Sequence, residues 1–328
     1  MRVPVSWLFQ RLDGLFAVYK PPGVHWKLVR DTVEANVLKA LNSVPPPAPQ
    51  QQVKFIPSST QGLDGSTELT LTATSVPALV DHPLVKGPQF HKVRVGVGHR
   101  LDALSSGILV LAVGQGNKWL TGLQSSHVTR DYTLEGEFGK ATEDFSHTGR
   151  LIERSTYDHI TRDNLERLLA VMQGANHKAL LLYSNVDLCS QEAYELAVKG
   201  SLLPQEKSPP ILTGLRCLHF QPPKFTLEVQ CVNETQRFLR KLVHEVGLEL
   251  RSTAHCTGVR RIRDGPFTLK DALTHKHWTL PAITEAIKQS RSAWKKQAAK
   301  DSSSLRTPQT QNKQEDHTSN GASAAVPD

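Results

Sequence analysis

The chain has 328 residues, 38% hydrophobic and 21% charged, long enough to bury a sizeable core in one large domain or two ordinary ones. No apolar stretch approaches the ~18–20 residues needed to span a bilayer, which excludes a membrane-embedded helical protein. The formal charge is +8 with a pI near 9.3; the last 30 residues hold three basic and four acidic side chains, so the excess belongs to the rest of the chain and favours a polyanionic partner such as nucleic acid.

The opening MRVPVSWLFQRLDG sets Arg2 and Arg11 among apolar residues with no acid before Asp13. Residues 1–13 read either as a brief amphipathic organelle-import segment or as the first element of the fold. Residues 14–23, GLFAVYKPPG, read as a short apolar strand ending in a proline-fixed turn, with Lys20 at its exit. A short helix is expected over 33–42. The PPPAPQQQ run followed by the alternating TELTLTATSV marks a surface insertion over about 44–86 that carries an edge hairpin.

Residues 95–113 read VGVGHRLDALSSGILVLAV. The run Ile108 to Val113, bounded by Gly107 and Gly114, predicts a strand buried on both faces. In front of it stand His99, Arg100 and Asp102. A nearby guanidinium favours the carboxylate form and lowers its pKa, and an anionic carboxylate needs no base to act as a nucleophile. An aspartate beside an arginine in a loop is also an ordinary ion pair or turn residue. GxSxG, GxGxxG and HExxH are all absent, which argues against serine hydrolysis, dinucleotide binding and zinc catalysis. Four cysteines, at 189, 217, 231 and 256, have no CxxC pair, so reduced and mostly buried thiols are expected rather than disulfides or a zinc site.

Further along, residues 131–138 alternate, with Tyr132, Leu134, Gly136 and Phe138 on one side. By pattern Tyr132 is a core residue; beside Arg130 it is also the kind of ring on which an unpaired base stacks. Residues 139–150 read as a polar loop, 161–173 as an amphipathic helix stopped by Gly174, and 191–199 as a second helix. A strand pair is expected over 211–220 and 225–231. The helix predicted over 235–246, ended by Gly247, has Phe238, Leu239, Leu242, Val243 and Val246 on its core side. Arg237, Arg240, Lys241 and His244 form a basic stripe, either a solvated face or a track for phosphates. From about Ala298 the Ser-, Thr-, Gln- and Asn-rich composition predicts a disordered tail over 298–328.

In this order, GLFAVYKPPG, GHRLDALSSGILVLAVGQGNKW, RDYTLEGEFGKATEDFSHTGRL, YSNVDLCSQEAYELAVKG and VRRIRDGPFTL resemble the landmarks of the TruB-type pseudouridine synthases over residues 14 to about 270. The resemblance implies isomerisation of uridine in RNA. Asp102 would detach uracil from its ribose so that the base rotates and rejoins through carbon. Tyr132 would stack on the flipped base and help remove the C5 proton, Arg240 would hold Asp102 by an ion pair, and Lys20 would support the pocket or a phosphate. His99 or Arg100 would fill the place the base vacates. Phe238 stands where the family has a second tyrosine, and Arg237 and Lys241 are candidates for substrate binding. The reaction is redox-neutral, so neither cofactor nor metal is expected.

Besides Phe238, further departures accompany the resemblance. The histidine stands three rather than five residues before the aspartate, and the RLD triplet is similar to the RluA and RsuA branches. No RNA-binding PUA domain is expected after residue 280. The overall pattern resembles the animal mitochondrial branch of the family, which implies mitochondrial mRNA, tRNA or rRNA as substrate and a location in the mitochondrial matrix.

The order of elements predicts an α+β class: a pseudouridine synthase fold with a mixed, mainly antiparallel bent sheet flanked by helices, as one catalytic domain over 14–280. Two function classes follow. One is a catalytic RNA uridine isomerase. The other is an RNA-binding scaffold of a mitochondrial RNA-processing or ribosome-assembly complex, with other RNA-processing proteins as partners.

Overall fold

An apolar run such as Ile108–Val113 has no polar side to turn to water, so it must lie where both faces of a sheet are covered. In the computed structural model it does. The structure describes residues 12–43, 50–61, 67–125, 128–184 and 208–304, with isolated residues between 187 and 204. One compact unit extends to Arg291.

Apart from short helical turns, the described elements are, in chain order, β1 (Gly14–Lys20), α1 (Trp26–Asn42), β2 (Gln51–Gln61), β3 (Thr67–Pro77), β4 (Val95–Val97), β5 (Ser106–Val113), α2 (Gly116–Ser125), β6 (Arg130–Phe138), β7 (Lys140–Thr142), β8 (Leu151–Arg154), α3 (Arg162–Tyr183), β9 (Ile211–Gln221), β10 (Lys224–Val232), α4 (Gln236–Glu249), β11 (Ala254–Asp264), β12 (Phe267–Thr268), β13 (Ala272–Leu273) and α5 (Leu280–Ser304). Nine strands make one mixed sheet in the order β13-β1-β5-β11-β6-β10-β9, with β4 on β5 and β12 on β11. Only β1 with β13 and β5 with β11 run parallel; the other pairs are antiparallel.

The pleat divides β5 between two cores. Leu109, Leu111 and Val113 pack with Val29, Val33, Val37 and Leu41 of α1 and with Ile283 and Ile287 of α5. Ile108, Val110 and Ala112 pack with Leu120 and Leu123 of α2 and with Phe267. A third core lies where β6, β9, β10 and β11 meet Leu165 and Leu169 of α3 and Leu239, Leu242, Val243 and Val246 of α4. Each such aliphatic side chain contributes about 1.5–3 kcal/mol by leaving water.

Several expected boundaries move. Helix α1 begins at Trp26 rather than 33, because the His25 ring accepts a hydrogen bond from the Lys27 backbone N–H at 3.2 Å and so starts it one turn and more earlier. Helix α3 continues through Gly174, where nothing crowds the backbone, to Tyr183. Helix α4 continues through Gly247 to Glu249. A β-carbon on Gly247 would stand 2.5 Å from the Ala254 backbone nitrogen, so this glycine serves close packing on β11 rather than termination. The loop expected over 139–150 contributes β7, which pairs with β8. Strands β2 and β3 form a separate two-stranded sheet with Val53 and Phe55 exposed.

Helix α5 runs to Ser304, past the expected start of the tail at 298. Residues 1–11 and 305–328, and most of 191–199, lie outside the described residues. Among the described residues no helix is long and apolar enough to cross a membrane.

Candidate active site

The pairing of β1 with β5 ends at Lys20 opposite Gly107, which places the Lys20 turn beside the loop that carries Asp102. Lys20 is fully buried. Its ammonium donates to the carbonyls of Ser105 at 2.5 Å, Pro21 at 3.1 Å and Ala103 at 3.2 Å, while the Gly23 N–H donates to Ala103 at 2.8 Å. Burial lowers its pKa to about 8, against the opposing pull of the Asp102 charge and with that of Arg261 adding to the fall. Lys20 therefore staples the backbone of the Asp102 loop; of its two expected roles, support of the pocket or of a phosphate, its enclosure fits the first.

Asp102 is 31% exposed and sits at the entrance to β5. One carboxylate oxygen accepts the Ser105 N–H at 2.8 Å; the other accepts a charge-assisted bond from Arg240, on the second turn of α4. Burial pushes the carboxyl pKa up, but the hydrogen bonds from Ser105 and Arg240 and the Arg240 charge together hold it below the usual value. Ser105 in turn donates its hydroxyl to Gln236 Oε1 at 2.7 Å, so the first residue of α4 also grips the loop. Gln236 Nε2 and Arg240 Nε are buried without a partner among the described residues.

Under this loop lies a buried polar network. Tyr132 on β6 is 0% exposed and donates its hydroxyl to Glu234 Oε1 at 2.6 Å. Arg130 approaches Glu234 at 3.3 Å and donates to Asp264 at 3.0 Å. Arg261 pairs backbone with Tyr132 on one side and with Gly107 on the other. Its side chain, fully buried, donates to the Ile108 and His99 carbonyls at 2.6 to 2.8 Å and to the His99 ring at 3.1 Å. A β-bulge after Arg261 turns Arg263 to Asp131 instead. Gly107 has φ +112°, and a β-carbon there would lie 2.1 Å from the Arg261 carbonyl oxygen; the close approach of β5 to β11 needs glycine. Burial raises the Tyr132 phenol well above its ordinary pKa, with Glu234 adding to the rise against Arg261.

The structure separates the remaining expected site residues. The His99 ring is engaged by Arg261, and burial together with the Arg130 and Arg261 charges lowers its pKa to about 3, so it is neutral at physiological pH. Arg100 turns the opposite way, its guanidinium 4.8 Å from the centre of the Trp26 ring. Phe238 is half-buried against the third core. The basic stripe of α4 splits: Arg240 turns to Asp102 and His244 to the Ala254 carbonyl at 3.1 Å, whereas Arg237 and Lys241 are exposed and Lys241 pairs with Glu245 at 2.8 Å. Glu234, Gln236 and Arg261 were not singled out from the sequence. An acid immediately before the Thr235 helix cap, followed by a glutamine, was the visible trace of the first two.

A family model described as TruB family pseudouridylate synthase, N terminal domain, matches residues 88–236. The Xenopus tropicalis protein named pseudouridylate synthase TRUB2, mitochondrial, is 59% identical over 87% of this chain and 87% of its own length. The Homo sapiens protein of the same name is 59% identical over 85% and 84%. This chain belongs to the TruB family. The segment matched by the family model holds Asp102, Tyr132, His99, Arg100, Glu234 and Gln236, while Lys20, Arg240 and Arg261 are brought to it by elements on either side. Likeness to solved structures is remoter: an archaeal box H/ACA sRNP Nop10-Cbf5 complex gives a TM-score of 0.46 at 14% identity, over 87% of this chain and 61% of that one.

Proposed function

We propose that this TruB-family chain isomerises uridine to pseudouridine in mitochondrial RNA, with residues 14–280 as the catalytic unit. The observation that carries the reading is the Asp102 carboxylate, kept anionic by Arg240 and Ser105 and left partly open at the mouth of a doubly buried strand. The names of the two relatives support the reaction class and the mitochondrial location; the matrix is the compartment that fits work on RNA inside the organelle.

In the chemistry this supports, an Asp102 oxygen bonds to the ribose C1′ as the N1–C1′ bond breaks and uracil leaves as an anion. The base rotates, C5 bonds to C1′, and the carboxylate is released. The C5 proton is then removed and N1 gains one, so the sum is an isomerisation. Arg240 positions the attacking carboxylate, and Gln236 Nε2 and Arg240 Nε are donors without partners among the described residues, suited to substrate oxygens. Tyr132 is the candidate for handling the C5 proton, with Glu234 holding its hydroxyl. Because Tyr132 is fully enclosed, seating a base on its ring requires side chains of its own cluster, which includes Leu101, to move aside. The target must also be extruded from any stack, at a cost of a few kcal/mol.

Pseudouridine mapping in organellar RNA of cells carrying wild type or Asp102→Ala tests the reading. The variant is expected to lose the modified sites; full modification at normal protein levels would overturn it.

A further inference from the structure

A cleft opens beside the catalytic loop, between α1, the segment 92–100 and α2, and begins at Arg100, two residues before Asp102. Its wall is the half-buried Trp26 ring, around which three cations gather: Arg100 at 4.8 Å, Arg30 at 5.7 Å and Lys27 at 5.9 Å. Val93 and Val95 point inward to the core, so the alternating Lys92 and Arg94 point outward and line the cleft. Two acids line it as well, Asp31 and Glu34, and Asp31 is occupied by Arg30 at 2.6 Å. Among the described residues, Lys92, Arg94 and Arg100 are in no ion pair.

Like charges set this close repel one another, and the arrangement is stabilised by whatever anion enters. An aromatic face among cations answers a narrower need than phosphate binding. It is the pairing that holds single-stranded nucleic acid, with a base on the ring and the backbone on the charges. A free phosphate or an acidic peptide has use for the cations but none for the ring. We infer that this cleft binds a nucleotide of the RNA strand flanking the target uridine, its base on Trp26 and its phosphate on Lys92 and Arg94. The inference rests on the isomerase reading only for which stretch of RNA lies there.

The test compares binding of the full chain to a short oligouridylate and to an abasic oligomer with the same number of phosphates, at low and high salt. Trp26→Phe and Trp26→Leu both retain an apolar side chain against the α1 core, and equal thermal melting checks that the fold is kept. Trp26→Leu is expected to weaken oligouridylate binding about tenfold and to leave the abasic oligomer unchanged, while Trp26→Phe stays close to wild type. The double variant Lys92→Ala, Arg94→Ala should weaken both oligomers alike and reduce the slope of log affinity against log salt by about 0.7 per side chain removed. Equal loss for both oligomers in Trp26→Leu, no loss for either, or competition by millimolar inorganic phosphate as strong as that by oligouridylate, would each overturn the inference. Wild-type conversion of uridine is measured separately. Conversion without Trp26 dependence defeats the cleft alone; Trp26 dependence without conversion defeats the isomerase reading alone.

Discussion

Tyr132 and Glu234 are joined by a 2.6 Å hydrogen bond in which the phenol donates and neither group reaches solvent. The same carboxylate faces Arg130, itself held by Asp264. Glu234→Ala leaves Arg130 buried with one partner fewer and the phenol with none, and should cost about 3–5 kcal/mol in a denaturant melt. Glu234→Gln keeps the shape and an acceptor oxygen; it should retain more stability but lower turnover, since the phenol loses its charged anchor. Turnover equal to wild type in Glu234→Gln would detach this bond from the chemistry.

Arg240 shares with Ser105 the control of Asp102 protonation. The hydrogen bonds from Ser105 and from Arg240, together with the Arg240 charge, hold the carboxyl below its ordinary pKa against the upward push of burial. In the proposed mechanism the reactive form is the anion, so the rate is expected to fall as pH drops through that pKa. Arg240→Met should raise the pKa and move the acid limb of the pH–rate profile to higher pH, besides lowering the plateau. A lower plateau with an unmoved limb would mean that Arg240 serves only position.

Lys20 predicts a pH dependence of stability. Its folded pKa is lowered to about 8 from the ordinary lysine value of 10.5. Between these values the unfolded chain binds the extra proton, so stability rises with pH through that window and is flat with respect to this group below it. Lys20→Met removes this slope, and it also removes the bonds to Pro21, Ala103 and Ser105. Denaturant melts of both proteins from pH 7 to pH 10.5 check it: parallel curves would show that Lys20 is not desolvated as described.

Gly107→Ala meets both a positive φ and the Arg261 carbonyl. The strain has no flexible side chain to relieve it, so a loss of at least ~2 kcal/mol is expected in chemical denaturation. A melt unchanged from wild type would show that β5 and β11 can part without cost.

On α4, Arg237 and Lys241 are expected to differ. Lys241 already pairs with Glu245, whereas Arg237 is exposed and enters no ion pair among the described residues. Arg237→Ala should weaken RNA binding and lower the salt slope by about 0.7–0.9, Lys241→Ala by less. Equal and negligible effects would make this face an ordinary solvated one.

How much of this was legible in the sequence depended on how local the cause was. The lack of any polar side in Ile108–Val113 was enough to bury β5 on both faces, and the alternation of 131–138 was enough to bury Tyr132. The helix ends at Gly174 and Gly247 were misjudged because glycine was read as a stop, whereas one lies on an open surface and the other admits a neighbouring strand. The stripe of α4 was visible as one face. Arg240 and His244 are offset from Arg237 and Lys241 by about 60° on the helix, enough for an edge to turn two of them inward and leave two in water. Glu234 belongs to no motif, and its meaning arises from the fold, which brings it to a phenol 102 residues away.

The double burial of β5 has a consequence for how this family signature relates to autonomous folding. The matched segment, 88–236, contains β5 but neither of its main sheet neighbours: β1 comes before it and β11 after it. Excised, the segment would leave one edge of β5 unpaired along its length and the other paired only with β4, opposite Leu111–Val113, and it would lose Lys20 and Arg240, which hold the Asp102 loop. The family model thus recognises the stretch that holds Asp102, Tyr132 and Glu234, while the side chains that fix the Asp102 loop, Lys20 and Arg240, come from sequence on either side of it.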